Sequence, residues 1–189
     1  MHNVDNALAA VAVARELEVP FSVTAHALET FKSPARRFET KGIVAGVRIV
    51  EDYGHHPAEV RATLAAARTL EPKRIITVFQ PHRFTRTQDL FGDFMSCFNE
   101  SDVLVLTEIY PAGEEPIPGV TSERLFESIR DHGYRDLRYT AEKDAIPDDL
   151  APELSAGDLV LLLGAGDIGK LAEPLLRRLE QRFGEKRQS

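Results

Sequence analysis

Arg74-Ile-Ile-Thr-Val-Phe-Gln-Pro-His-Arg-Phe-Thr-Arg-Thr87 is the stretch from which the fold reads outward. Ile75 to Phe79 is a short, apolar, β-rich run of the kind that fills a strand buried on both faces of a parallel sheet. Gln80-Pro81 stops it, and His82, Arg83 and Arg86 crowd the residues that follow. Thr87 then offers a hydroxyl at the N-cap of a helical pattern. Two guanidinium groups three positions apart therefore fall in a strand-to-helix loop, where open α/β sheets place their ligand sites. Arginine suits bidentate recognition of a carboxylate or phosphate. A solvated basic loop is the plainer reading of Arg-x-x-Arg; Pro81 and His82 directly behind a buried strand weigh against it.

The pattern on either side alternates. A strand over 47–50 leads to a helix over 57–70, and strand 75–79 to a helix over 87–98. Strand 103–106 leads to helix 122–131, strand 137–139 to a helix within 148–154, and strand 159–163 to helix 168–183. Such alternation predicts a mostly parallel sheet covered by helices on both faces. Upstream, Arg36 to Val50 reads as a hairpin around Lys41-Gly42 and Gly46. Before that, residues 4–18 form a helix that Asn3 or Asp5 can cap, apolar nearly all round and so expected to be buried on more than one side. Val19-Pro20 ends it and a second helix follows over 22–31. A helix opening so early, with no sheet before it, reads as cut from something larger, with a domain boundary near Ser33-Pro34. The last six residues read as a charged, frayed tail.

With 189 residues, 43% hydrophobic and 28% charged, the chain has the composition of an ordinary globular protein large enough for one domain and a fragment of another. A net charge of −7 argues against non-specific nucleic-acid binding, although a local arginine pair can outweigh distant carboxylates. Cys97 is the only cysteine, which excludes an intrachain disulfide and fits a reducing compartment. It is expected buried on the helix after the arginine loop. No apolar run is long enough to cross a bilayer, and the first residues lack a secretory pattern, so the expected location is cytoplasmic, with no membrane partner.

Asp52-Tyr53-Gly54-His55-His56-Pro57 places a carboxylate, a phenol and two imidazoles in one turn entering a helix. Asp52 could hold a ribose hydroxyl pair and His55 could bind an anion or move a proton; the plainer alternative is a cap and an exposed turn. Zinc fits poorly, since adjacent histidines rarely ligate together. Gly164-Ala-Gly-Asp-Ile-Gly169 matches the dinucleotide fingerprint, but only 20 residues follow it, with no second strand and acidic residue to complete the unit. Its glycines instead let backbone approach closely before a helix N-terminus that favours an anion. Glu108, Glu114 and Glu115 could assist a magnesium ion, although a solvated loop is the plainer reading, and no G-x-x-x-x-G-K-[ST] exists to cradle a triphosphate. The loops at 52–57, 80–86, 108–114 and 164–167 all follow strands, so a parallel sheet would bring them to one rim.

Taken jointly, the motifs resemble the Mur ligase family along essentially the whole chain. They are His2-Asn3-x-x-Asn6-Ala7-x-Ala9-Ala10, Arg36-Arg37-Phe38-Glu39, Asp52 to Pro57, Phe79-Gln-Pro-His-Arg-x-Thr-Arg-Thr87, Tyr110-Pro-Ala-Gly-Glu114 and Gly164-Ala-Gly-Asp167. The resemblance implies a Rossmann-like, amino-acid-binding C-terminal domain over 34–189, preceded over 1–33 by a short helical remnant of the central ATP-binding domain. It implies part of an ATP-dependent amide-bond ligase of peptidoglycan precursor synthesis, inactive alone because the N-terminal and central domains are its missing partners. The Gln-Pro-His-Arg-x-Thr-Arg stretch points to the members that add L-alanine to UDP-N-acetylmuramate. There the muramate carboxylate attacks the γ-phosphate of ATP and the alanine amine attacks the acyl phosphate, with Mg2+ held mainly by the missing domain. By the same resemblance Asn3 and Asn6 contact adenine, Arg37 the phosphates and Asp52 the ribose. Tyr53, His55, Arg83 and Arg86 form the L-alanine pocket, and catalysis is positioning and charge stabilisation without a protein nucleophile. The competing reading is a free-standing, non-catalytic nucleotide- or anion-binding α/β module, which nucleotide binding by the isolated chain would support.

Overall fold

The structure is a computed structural model that describes residues 2–31 and 34–185, the side chains of residues 2, 3 and 185 excepted. It divides into two compact units, Met1–Ala35 and Arg36–Ser189.

The first unit is two helices, α1 (His2–Glu16) and α2 (Phe21–Thr30), joined by a turn in which Glu18 takes a left-handed φ of 57°. They pack on each other. The burial on several sides expected of α1 is not found. Val4, Leu8, Val13, Leu17, Phe21 and Phe31 are between 60% and 71% exposed. The reason is geometric: two helices share one seam, and apolar positions on their other faces have nothing within the unit to meet.

In the second unit β1 (Glu39–Val44) and β2 (Val47–Asp52) form the expected hairpin, turning at Ala45 and Gly46 with positive φ at both. Then follow α3 (Pro57–Arg68), β3 (Arg74–Phe79), α4 (Phe84–Asp89), α5 (Phe91–Phe94) and β4 (Val103–Leu106). After these come α6 (Ser122–Asp131), β5 (Leu137–Tyr139), α7 (Ile146–Leu150), β6 (Asp158–Leu163) and α8 (Ala172–Glu185). The six strands form one sheet in the order β1-β2-β6-β3-β4-β5, parallel except for the β1–β2 pair. The mostly parallel, doubly covered sheet read from the alternation, Rossmann-like as the resemblance implies, is therefore the one observed.

The last strand lies in the middle. Asp-Leu-Val-Leu-Leu-Leu of β6 is buried at every position, with no polar face, because helices cover both sides. On one face Ile49, Val78, Val160 and Leu162 pack under α7 and α8 through Ile146, Leu150, Leu175 and Leu179. On the other Val50, Phe79, Leu104 and Leu161 pack against Val60 and Leu64 of α3, Phe94, Phe98 and Leu125 of α6. Each such side chain contributes roughly 1.5–3 kcal/mol by leaving water. The parallel register aligns Asp52, Leu163, Phe79, Leu106 and Tyr139 across the sheet. All the functional loops start from that row.

The helix expected over 87–98 is corrected. It begins three residues earlier, as α4, so that Arg86 stands on a helix and not in a loop. Thr87 is not its cap: its hydroxyl donates back to the carbonyl of Arg83 at 2.8 Å, an i−4 bond that keeps it inside the turn. The helix breaks at Leu90 and resumes as α5. Cys97 consequently lies in the turn after α5, buried, with its thiol pushed up to about 12 by burial. A 3₁₀ turn at Lys143–Ala145 puts α7 ahead of its expected start, and another at Ile168–Leu171 precedes α8. Among the described residues, no helix is long and apolar enough to cross a membrane.

Candidate functional site

Beyond the aligned strand ends the backbone ladder continues into the loops. Gln80 N–H donates to Leu163, Gly164 N–H to Asp52 and Thr107 N–H to Phe79, at 3.1, 3.1 and 3.2 Å. Past this point the β3 and β4 loops pair again, with Tyr110 N–H on the carbonyl of Pro81 and Arg83 N–H on that of Tyr110, both at 2.8 Å. His82 is held between those two bonds.

The result is a file of four rings along the rim. Tyr53 meets His55 edge-on at 5.4 Å between centroids. His55 lies 5.6 Å from His82, and His82 stacks on Tyr110 at 5.6 Å with only 10° between planes. Arg36 and Arg37 cover the Tyr53 ring at 4.9 and 5.4 Å, within cation–π range. Three loops distant in sequence thus build one wall.

Hydrogen bonds specify the chemistry of that wall. Nδ1 of His55 lies 3.0 Å from the Tyr53 carbonyl, which can only accept, so Nδ1 carries the proton and Nε2 is an acceptor in the neutral ring. Nδ1 of His82 lies 3.0 Å from Nη1 of Arg86, which can only donate, so here the proton sits on Nε2. When both rings are neutral, the two histidines carry opposite tautomers. Burial first, then the charges of Arg86, His55 and Arg83, lower the His82 pKa to about 4, and it is neutral near pH 7.

Arg86 gives Nη1 twice to one residue, to Nδ1 and to the carbonyl of His82, each at 3.0 Å. Among the described residues no acceptor meets its Nε or Nη2, and this fork is the edge that pairs with a carboxylate through two parallel bonds. Arg83 occupies a backbone conformation rare for a side-chain-bearing residue, φ 73° and ψ 138°. It is pinned there by the Tyr110 carbonyl before it and the Thr87 amide and hydroxyl after it. Its guanidinium lies 3.7 Å from Glu114, whose carboxylate also accepts the hydroxyl and amide of Thr85 and is held below the usual carboxylate range by them.

Behind the wall the carboxylates are structural. Asp52, 6% exposed, accepts from Phe38 N–H at 2.8 Å, Gly54 N–H at 2.7 Å and the Thr63 hydroxyl at 3.1 Å. In this conformation its two oxygens already serve the turn. Glu59 closes a capping box with His56 and also receives the His55 amide. Burial opposes its charge, yet the His55 and His56 amides, with His55 and Arg37 nearby, hold it below the usual range. The glycine turn is filled by the protein itself. A Cβ on Gly166 would strike Gln80 and Tyr110, and one on Gly169 the Glu51 carboxylate. Gln80 and Asp167 exchange two hydrogen bonds, at 3.0 and 3.1 Å. Beside Tyr110 opens a cavity of about 290 Å³ reaching Glu108, Lys143 and Asp167.

Of the residues expected to act, Arg37, Tyr53, His55, Arg83 and Arg86 stand along this rim, and Asp52 lies beneath it. Asn6 is exposed on α1 in the other unit, and the Asn3 side chain lies outside the described residues. Sequence reasoning missed the roles of His82, Tyr110, Glu114 and Glu59. His56-x-x-Glu59 is legible as a capping box. Nothing local announces that Tyr110 meets His82, because that depends on strand pairing.

Residues 36–166 match the family described as Mur ligase, glutamate ligase domain. The chain is 55% identical over 181 residues to the UDP-N-acetylmuramate–L-alanine ligase of Geobacter sulfurreducens and 54% identical over 182 residues to that of Sorangium cellulosum. Each alignment covers 95% of this chain and 39% of the relative, so the chain spans well under half their length. Among solved structures, the UDP-N-acetylmuramate–alanine ligase of Thermotoga maritima is 26% identical with a TM-score of 0.78, covering 96% of this chain and 38% of that one. A murein peptide ligase from Psychrobacter arcticus shares the fold at 22% identity and a TM-score of 0.71, covering 95% of this chain. On a match spanning most of its length, over the sheet and rim just described, the chain belongs to the Mur ligase family.

Proposed function

We propose that this chain is the C-terminal part of an ATP-dependent ligase that joins L-alanine to UDP-N-acetylmuramate in peptidoglycan precursor synthesis, acting in the cytoplasm. The observation that carries this reading is the open Nε/Nη2 fork of Arg86 beside the His55–His82 wall. It offers two parallel donors to an amino-acid carboxylate. Arg83 adds a second positive charge. His55, with Nδ1–H committed to Tyr53, turns an acceptor nitrogen toward the amine that must lose a proton before it attacks.

ATP, when bound, supplies the phosphoryl group that activates the muramate carboxylate. The exposed Arg37 guanidinium, steadied by Tyr53 and by Glu59 at 3.7 Å, fits its phosphates. Asp52 would shape the turn beside its ribose, and Asn3 and Asn6 would face adenine. Residues 1–33 are the end of the central ATP-binding domain. With Ile43 and Leu70 the exceptions, every exposed large hydrophobic among the described residues sits in the first unit, as expected of a segment covered by the rest of a domain. Among the described residues no group of three carboxylates, imidazoles or thiols could hold a metal, and Mg2+ would be held mainly by the rest of the ligase.

The test uses a full-length ligase carrying this segment. Arg83→Gln and Arg86→Gln each raise KM for L-alanine by more than about tenfold, the effect of losing a charged hydrogen bond, while KM for ATP stays put. Unaltered alanine kinetics in both variants would remove the carboxylate clamp.

A further inference from the structure

Arg86 has three edges it could present to a ligand, and one neighbour decides which. Nη1 is anchored at 3.0 Å by both Nδ1 and the carbonyl of His82. The imidazole cannot swing away, because it lies between His55 and the parallel ring of Tyr110, and its backbone is fixed by the β3–β4 loop pairing.

We propose that His82 is a positioning residue for the ligation reaction: its neutral Nδ1 anchors one end of the Arg86 guanidinium so that the other edge meets the amino-acid carboxylate. This rests on the clamp reading above and adds what aims the clamp. It also assigns His82 a single working tautomer. The charged and titratable groups facing the ring are Arg83 on its own loop, Arg86 one turn on in α4, His55 from the β2 loop, and Tyr110 and Glu114 from the β4 loop. Protonating Nδ1 would set a cation against Arg86 and release the anchor.

Two substitutions separate this role from mere packing. In His82→Asn the amide oxygen falls near the position of Nδ1 and accepts from Arg86; in His82→Phe the stacked ring stays and the acceptor is lost. In the full-length ligase, His82→Phe raises KM for L-alanine about tenfold or more with kcat within about threefold, and His82→Asn restores KM to within about threefold of wild type. Equal impairment of the two variants, or an unaltered KM in His82→Phe, overturns the proposal. Arg86→Gln, measured in parallel, isolates the underlying reading: if it leaves KM for L-alanine unmoved, Arg86 is no part of the clamp and the proposal falls with that reading. If it raises KM and His82→Phe does not, the aiming role alone fails. In the 189-residue chain, long-range proton–nitrogen NMR should show His82 protonated on Nε2 only at pH 6; a doubly protonated ring there would also overturn it.

Discussion

Nε of Arg36 lies 2.6 Å from Oε1 of Glu51, a carboxylate almost wholly inside the protein. The same guanidinium donates from Nη2 to the carbonyls of Gly164 and Gly166, at 3.0 and 2.8 Å. One side chain thus bolts the start of the second unit to the hairpin and to the glycine turn after β6. Lys41, at 3.4 Å, is the other cation near Glu51 among the described residues.

Arg36→Met keeps the apolar stem and leaves Glu51 with Lys41 alone. Removing one partner of a fully buried pair costs 3–5 kcal/mol; with Arg36 about a third exposed, the expected loss is about 2–3 kcal/mol in urea unfolding of the chain. A loss below about 0.5 kcal/mol would show that the contact is ornamental. Arg36→Lys should fall between, because an ammonium cannot reach the carboxylate and two carbonyls in one plane.

The glycines of the turn are required by packing. Gly166→Ala and Gly169→Ala should each lower stability by about 1–3 kcal/mol, as the added carbon displaces Gln80 and Tyr110 or the Glu51 carboxylate. Gly92, inside α5 with nothing within 4 Å of its added carbon, is the control: Gly92→Ala should be neutral or stabilising by up to about 1 kcal/mol. Differential scanning calorimetry on the three variants checks the contrast. Equal shifts in Tm would refute it.

Asp52→Asn tests whether the carboxylate organises the turn. Its oxygens accept from three donors, and an amide must point its own N–H at one of them. The expected cost is about 2–3 kcal/mol of folding stability. Stability within about 0.5 kcal/mol of wild type would return Asp52 to a purely ligand-facing role.

Acid should weaken the fold partly through His82. Its pKa falls from an ordinary 6.5 to about 4 on folding, so the native state favours the neutral ring. That contribution is complete above pH 6.5 and is lost as pH falls from 6.5 toward 4, where the unfolded chain takes up a proton first. Carboxylates held below their usual range, among them Asp158 and Asp167, weaken the fold in acid as well. The informative quantity is therefore a difference. Urea midpoints at pH 7, 5.5 and 4.5 should move in favour of His82→Asn, relative to wild type, as pH drops. A constant gap across that range would show that His82 does not titrate in this window.

Strand and helix alternation, the apolar runs at 75–79, 103–106 and 159–163, and the motifs that resemble the Mur ligases are local in the chain, and they sufficed for the sheet, its covered faces and the rim. Period and composition record which backbone conformation buries which side chain, and that information survives without coordinates. That Tyr53, His55, Arg83 and Arg86 would share one rim could be read because the segments that carry them each follow a strand of a parallel sheet.

What belonged to tertiary structure alone was the pairing of partners far apart in the chain. The sheet order set β6 between β2 and β3, and so placed Gly164 and Gly166 under Arg36 and against Gln80. The β3–β4 loop pairing stacked Tyr110 on His82. Thr87 turned from expected cap to back-bonded helix residue because the Arg83 carbonyl was there to receive it. Tautomer, rotamer and which edge of a guanidinium is free depend on such neighbours, and a neighbour across a sheet leaves no mark at any fixed spacing in the sequence.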